Sequence, residues 1–260
     1  MKKHAAILLV SVTAGLSFVG SADAQEFQYT GDDGPAHWAE LNTAWDACAG
    51  EGQTARQSPI DIRRATFDRG LERLNLETFP TTIDLFNNGH TIEQHYEDGV
   101  SRIYFDGIWY DLKQFHFHTL SEHTVQSEHG VMEMHAVFGA GNLNLVVGVL
   151  FEIGYYVNPF VQKLIDAGLP ETSTDTTETD DLIDVADALT DTSAYYTYAG
   201  SLTTPPCSET VTWVVLSKPN RLSHLQFEAL RDILGNNFRP LQALNGRTVR
   251  SSKPPSVHGH

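Results

Sequence analysis

Residues 102–118, RIYFDGIWYDLKQFHFH, alternate between apolar and polar positions and break once, at Asp106-Gly107. That pattern predicts two half-buried strands joined by a tight turn. The stretch TTIDLFNNGHTIEQHYE holds two β-prone runs around NNG, a strong turn signal. VMEMHAVFGAGNLNLVVGVLFEIG reads as two apolar strands meeting at GAGN, and TVTWVVLSKP as another strand. Helical periodicity is confined to NPFVQKLIDAGL and to SHLQFEALRDIL, where Ser223 stands at the N-cap position. Residues 171–192, ETSTDTTETDDLIDVADALTDT, are acidic and Thr-rich and read as a surface loop with one short helix near Leu182 to Leu189. The closing SVHGH reads as a frayed tail. With no internal repeat and no linker, the pattern predicts one mostly β (α+β) domain. It is built on a large central, mainly antiparallel twisted β-sheet with short peripheral helices.

The N-terminus departs from this pattern. Met1 to Ala24 has a basic start at Lys2 and Lys3, an apolar run from Ala5 to Val19, and the ending SADA, which fits an A-x-A cleavage site. The run is about 15 residues, short of the roughly 20 that a spanning helix needs. Residues 1–24 therefore read as a secretory signal peptide and 25–260 as the mature domain, destined for the periplasm or for secretion. After cleavage no segment is left to span a membrane. The formal charge is −16, and Lys2, Lys3 and Asp23 leave with the signal, so the mature chain carries −17. That balance excludes a nucleic-acid partner, which needs a basic face. It leaves a homodimer open. The two cysteines, Cys48 and Cys207, read in an exported chain as a disulfide, the alternative being two buried thiols.

The candidate chemistry sits on the strands. In QFHFHTLSEHTV, His116 and His118 share one strand face, with Phe115 and Phe117 on the other. In MEMHAVF, Glu133 and His135 share a face too. If these strands pair, three imidazoles surround one point with a fourth position open, the catalytic zinc pattern, and Glu133 can fix the tautomer of a ligand ring. A second reading competes. HFHTLSE is also the H-x-H-x3-E pattern of a cupin, in which Glu122 would bind iron or manganese in an oxygenase-like site. The cupin's second motif, ending in a histidine and an asparagine, is not found after residue 135.

Taken in order, GPAHW, RQSPIDI, NNGH, FHFH, SEHTV, MEMHAVF and YAGSLTTPPCSETVTW resemble an α-class carbonic anhydrase of the bacterial, exported kind, from about Tyr29 to Arg250. The resemblance implies reversible hydration of carbon dioxide to bicarbonate and a proton by zinc-bound hydroxide, with ester hydrolysis as a side activity. By position it makes His116, His118 and His135 the zinc ligands. Gln114 and Glu133 stand behind them, with Asn245 as candidate for the remaining outer partner. Thr203 matches the threonine that orients the hydroxide, and Glu122 the carboxylate that takes the threonine's proton, an orienter rather than a ligand. Thr204 lies beside the substrate, and Val137, Val146, Leu202, Val211 and Trp213 match the apolar carbon dioxide pocket. His90 matches the proton shuttle, with Tyr29 and Asn88 ordering its waters, and His123 a buried structural histidine. Phe27 and Tyr196 stand where tryptophans are usual, Leu120 where proline is common, and Glu93 where Asn or Gln is common. Loss of a ligand histidine would leave a non-catalytic binding module on the same fold, but all three are present.

Overall fold

The computed structural model describes residues 27–254. The signal peptide assigned to 1–24 and the SVHGH tail lie outside the described residues.

Nine strands and two helices position everything that follows. The strands are β1 (Thr81–Asn87), β2 (Ile92–His95), β3 (Ile108–His118), β4 (Met132–Ala140), β5 (Leu143–Ile153), β6 (Thr176–Ile183), β7 (Tyr195–Gly200), β8 (Val211–Leu216) and β9 (Asn220–Leu222). The helices are α1 (Pro159–Ala167) and α2 (His224–Leu234). The nine strands belong to one 13-stranded sheet whose main path runs β6-β1-β2-β3-β4-β5-β8-β7 and continues into two short strands, Arg250–Ser251 and Thr66–Phe67. Most neighbours are antiparallel, while β5 pairs in parallel with both β8 and β9.

Strand alternation divides the sheet into two faces. Met132, Met134, Ala136 and Phe138 of β4 and Leu145, Val147, Val149 and Phe151 of β5 enter the main core, where Phe160, Val161 and Leu164 of α1 and Leu230 of α2 also pack. Glu133, His135 and Val137 face the other way, and on that side Val146, Leu150, Val211, Trp213 and Val215 form a smaller apolar cluster. Both helices start where their caps demand. The Asn158 side chain accepts from the N–H groups of Phe160 and Val161, and Ser223 makes a capping box with Gln226.

Two features differ from the sequence pattern. Residues 171–192 are not a loop with a helix near 182–189. Thr176–Ile183 is an edge strand on β1 with a register shift between Thr179 and Leu182, and only a single turn, Val185–Asp187, follows. Its acidic side chains suppress intrinsic strand propensity, yet the ladder to β1 outweighs that, and charge at a sheet edge discourages pairing with other chains. The second difference is in β3. Tyr110 and Leu112 are buried in the main core, and so are Phe115 and Phe117, which have the opposite parity. The register explains it. Leu112 faces Phe138 and Gln114 faces Val137, so Lys113 is an extra residue in the strand. The bulge turns Gln114, His116 and His118 onto the face shared by Glu133 and His135.

Candidate metal centre

With β3 and β4 in this register, His116 lies directly opposite His135, and Glu133 opposite His118. The three imidazoles converge, with ring centroids 4.9 Å (116–118), 5.2 Å (116–135) and 4.5 Å (118–135) apart. One nitrogen from each forms a set whose members all lie within 4.8 Å of one another. Each ring is tethered from behind. His116 Nδ1 is 2.7 Å from Gln114 Oε1, His118 Nδ1 is 2.6 Å from the Asn237 carbonyl, and His135 Nε2 is 3.0 Å from Glu133 Oε1. These oxygens only accept, so each tethered nitrogen carries the proton. The inner nitrogens, Nε2 of His116 and His118 and Nδ1 of His135, are left as bare lone pairs. His118 Nε2 is buried without a hydrogen-bond partner. A buried, unpaired nitrogen facing two others suits a divalent cation.

The electrostatics agree. Burial, and next the His118 and His135 rings, hold His116 well below the ordinary imidazole range. Burial also lowers His118, outweighing the opposing Glu122 carboxylate. Burial alone would raise Glu133, but the adjacent His123 and His135 and their hydrogen bonds keep its carboxyl well below the usual range. Neutral imidazoles in front of an ionised carboxylate is the protonation pattern a metal site requires.

A second cluster, His123, Glu133 and His135, has the same spacing but its donors are already spent. His123 Nδ1 is 2.8 Å from Glu133 Oε1, its Nε2 is 2.6 Å from the Tyr198 hydroxyl, and its N–H donates to Glu133 Oε2. His123 therefore stands as a brace behind Glu133.

The triad opens into a cavity of about 210 Å³. Val137, Val146, Leu202 and Trp213 supply apolar lining, and Thr203, Thr204, Phe27, Tyr29, Asn88, His90 and Glu93 line it too. Val211 does not line this cavity. It packs in the cluster behind the wall, with Ile60, Ile62, Leu150, Tyr198 and Val249. Burial, and next the Glu122 carboxylate, push the Tyr29 phenol well above its ordinary value, so it remains a donor. Asn88 Oδ1 accepts from the N–H groups of His90 and Thr91, and its Nδ2 donates to Glu93 Oε1, so it shapes the turn that carries His90. Glu93 pairs with His95 Nε2 at 2.9 Å, and burial raises its pKa in spite of that partner. This carboxylate is thus engaged by Asn88 and His95.

Glu122 is fully buried. Its Oε1 accepts the Arg239 N–H at 2.8 Å, while Oε2 has no hydrogen-bond partner and lies 3.7 Å from His118 Nε2 and 3.9 Å from His135 Nδ1. It is outside the set of mutually close metal donors, unlike the cupin arrangement. The Thr203 to Glu122 hydrogen bond that the resemblance implies is not made in the structure.

Asn245 is not the remaining outer partner. Its side chain donates to the Gly52 and Ala55 carbonyls, far along the chain from the histidines. Asn237 holds that place. Its carbonyl takes the His118 ring, its Oδ1 takes the Thr119 N–H, and its Nδ2 donates to the His90 and Phe117 carbonyls. One buried side chain thus links a triad strand to the His90 turn. Sequence reading also passed over Gly148, opposite His135 in the ladder, where a Cβ would lie 2.6 Å from Glu133 Oε1. Arg239 was missed as well. Buried, it donates to Gln57 Oε1 and to the Ser58 and Cys48 carbonyls. Neither Asn237 nor Arg239 lies in a motif, so their role depends on contacts 117 to 191 residues away. The Cys48–Cys207 disulfide is formed and closes a separation of 159 residues. It ties the segment after Thr203 and Thr204 to the N-terminal part of the fold.

Residues 33–253 match the family described as eukaryotic-type carbonic anhydrase. A carbonic anhydrase of Klebsiella pneumoniae is 39% identical over 87% of this chain and 91% of its own length. One from Neisseria gonorrhoeae is 34% identical over 94% of each. The solved Photobacterium profundum α-carbonic anhydrase is 38% identical, with a TM-score of 0.78, covering 86% of this chain and 100% of that one.

Proposed function

The chain belongs to the eukaryotic-type carbonic anhydrase family, and on that premise we propose that it hydrates carbon dioxide to bicarbonate with one zinc ion held by His116, His118 and His135. Carbon dioxide hydration is the general reaction of the family. One observation carries the zinc assignment. Three inner imidazole nitrogens meet, each with its partner nitrogen tethered to an acceptor.

When bound, zinc supplies the Lewis acidity that lets a water give up its proton near neutral pH, for which carbonic anhydrase is the standard example. The chain's own groups do the rest. Gln114, Asn237 and Glu133 hold the ring tautomers and orientations. Carbon dioxide has no charge and few acceptor sites, and the wall of Val137, Val146, Leu202 and Trp213 offers it a dry surface beside the triad. We assign the Thr203 hydroxyl proton to the open Oε2 of Glu122. A threonine that donates there can only accept from the attacking water, and so fixes its orientation. His90, on the turn shaped by Asn88 and Asn237, is the proton acceptor at the cavity, and Tyr29 and Asn88 order the water between. Ester hydrolysis at the same centre is a side activity of this reading.

We also read residues 1–24 as an export signal and the mature protein as periplasmic or secreted. A disulfide fits an oxidising compartment, and no described helix is long and apolar enough to cross a membrane. Mass spectrometry of the exported protein should find Gln25 at its N-terminus.

The deciding experiment is metal analysis with a stopped-flow hydration assay on wild type and His135→Ala. One zinc per chain, lost with activity in the variant, is the expected result. Iron in place of zinc, or a fully active variant, would overturn the assignment.

A further inference from the structure

Tyr196 stands in the place of a usual tryptophan, and it does not line the cavity at the triad. It lines a second cleft, of about 820 Å³, that shares no residue with that cavity. The backbone around this cleft is fastened on three sides. Tyr196 of β7 pairs with Ser251. The Gln126 N–H and its Nε2 donate to the Ile62 and Arg63 carbonyls at 3.1 and 2.7 Å. The Ser217 N–H, just past β8, donates to the Ala194 carbonyl at 2.9 Å. Ile62, Tyr196 and Pro254 supply apolar lining, while Arg63, Arg64 and Lys253 supply charge.

That charge runs against the rest of the molecule. The chain carries −16 overall, yet no carboxylate is among the described residues that line the cleft. Asp61, outside the lining, holds the Arg63 guanidinium. The Asp191 carboxyl, lowered first by Ser193, is lowered further by both Lys218 and Lys253, which puts Lys218 near the rim as well. Arg63, Arg64, Lys218 and Lys253 against Asp61 and Asp191 leave a local excess of two positive charges. The Arg64 guanidinium and the Lys253 ammonium have no hydrogen bond or ion pair with any described residue. A concave cationic site on an acidic body draws anions to itself, and its volume falls within the roughly 300–1,000 Å³ of small-molecule sites. At position 196 a phenol is smaller than an indole and ends in a hydroxyl, so it leaves room and adds a donor. We propose that this cleft binds a small organic anion, a phosphate monoester or carboxylate carried on a flat apolar body. The anionic head meets Arg64 and Lys253, and the body lies against Tyr196.

Isothermal titration calorimetry on the metal-loaded protein tests this, with 2-naphthyl phosphate and 2-naphthoate as probes. At least one should bind, at one per chain, and added sodium chloride should weaken it. The ratio of the two affinities tells which head the cleft takes. Inorganic phosphate and 2-naphthol should each bind at least about tenfold more weakly, because each lacks half of the contact. Arg64→Ser combined with Lys253→Ser should raise the dissociation constant about tenfold, the joint worth of two exposed charge contacts. Tyr196→Trp should weaken binding several-fold by filling the cleft. These variants should keep the wild-type circular dichroism and hydration activity, and His135→Ala should bind the probes as the wild type does. No binding of either probe, equal affinity for inorganic phosphate, indifference to the Arg64 and Lys253 changes, or loss of binding in His135→Ala would overturn the proposal. So would binding that appears only once residues 255–260 are removed, which would give the cleft to the chain's own tail.

Discussion

His90 lies flat against Phe27, with ring centroids 3.9 Å apart and planes within 8°. Both line the cavity that the histidine triad opens into. A proton acceptor must alternate between receiving from the cavity and releasing to solvent, and a face-to-face contact favours one pose. Such a stack is worth about 0.5–1.5 kcal/mol, or up to roughly tenfold in population.

Phe27→Ala is therefore expected to raise kcat a few-fold in weak buffer and to leave kcat/KM unchanged. The companion variant His90→Ala should lower kcat in weak buffer by at least about tenfold, and small imidazole buffers should restore it. Direct release of a proton from a group of pKa near 7 is capped at about 10³ s⁻¹ by diffusion, so the loss is visible only if the wild type turns over faster. Stopped-flow traces at several buffer concentrations give both numbers. An equal fall in kcat and kcat/KM would remove His90 from the proton path.

Glu133→Gln should weaken zinc about 10- to 100-fold, because His135 loses a charged acceptor and the His123 brace is disturbed. Competition with a chromogenic chelator measures this without reference to activity. Unchanged affinity would mean that the His135 tether does not matter.

Thr203→Ala should cut kcat/KM by on the order of 10²-fold, the worth of one positioned hydrogen bond at a reacting centre, with zinc still stoichiometric. Glu122→Gln should act in the same direction, since an amide group turned toward Thr203 donates and leaves no acceptor for the threonine proton that we assign there. If both variants hydrate carbon dioxide normally, the orienting pair is wrong.

Metal-stripped protein should lose stability on acidification. His116 and His118 have pKa values below the ordinary 6.5 when folded, so the unfolded chain takes up protons first as pH drops below 6.5. Their contribution is complete above that pH and fades below it. Glu133, held below its ordinary 4.5, adds a second loss of the same sign at more acid pH. Thermal melts of the apo form across this range should show a falling Tm. A flat or rising Tm on acidification would contradict the buried, neutral His116 and His118.

Reducing Cys48–Cys207 removes a constraint across 159 residues. Chain entropy sets its worth at no more than about 5 kcal/mol, which corresponds to a Tm loss on the order of 10–20 °C. Calorimetry with and without reductant reads it directly. A Tm that does not move would show the bridge to be idle.

The sheet and its face assignments were legible because a strand repeats every two residues, and only a buried face forces that repeat. Met132, Met134, Ala136 and Phe138 sit in the core as the alternation requires, which leaves Glu133 and His135 together on the opposite face. The pairing of His116 with His118 was equally local, and so were the Ser223 cap and the turn at Asp106-Gly107. Residues acting through distant contacts were not legible. The Lys113 bulge reconciles Tyr110 and Leu112 with Phe115 and Phe117, and it exists only as a mismatch between β3 and β4. Thr176–Ile183 is a strand because β1 offers it a ladder, against the preference of its own acidic residues. Asn237 was missed in favour of Asn245, because a backbone carbonyl that holds His118 across 119 residues leaves no mark in side-chain chemistry. Arg239, too, gains its place only when the chain brings Cys48, Gln57, Ser58 and Glu122 around it. Local periodicity thus determined which residue types the triad strands present. Three-dimensional closure decided which oxygens tether their rings, because a hydrogen bond depends on distance in space and not on distance along the chain.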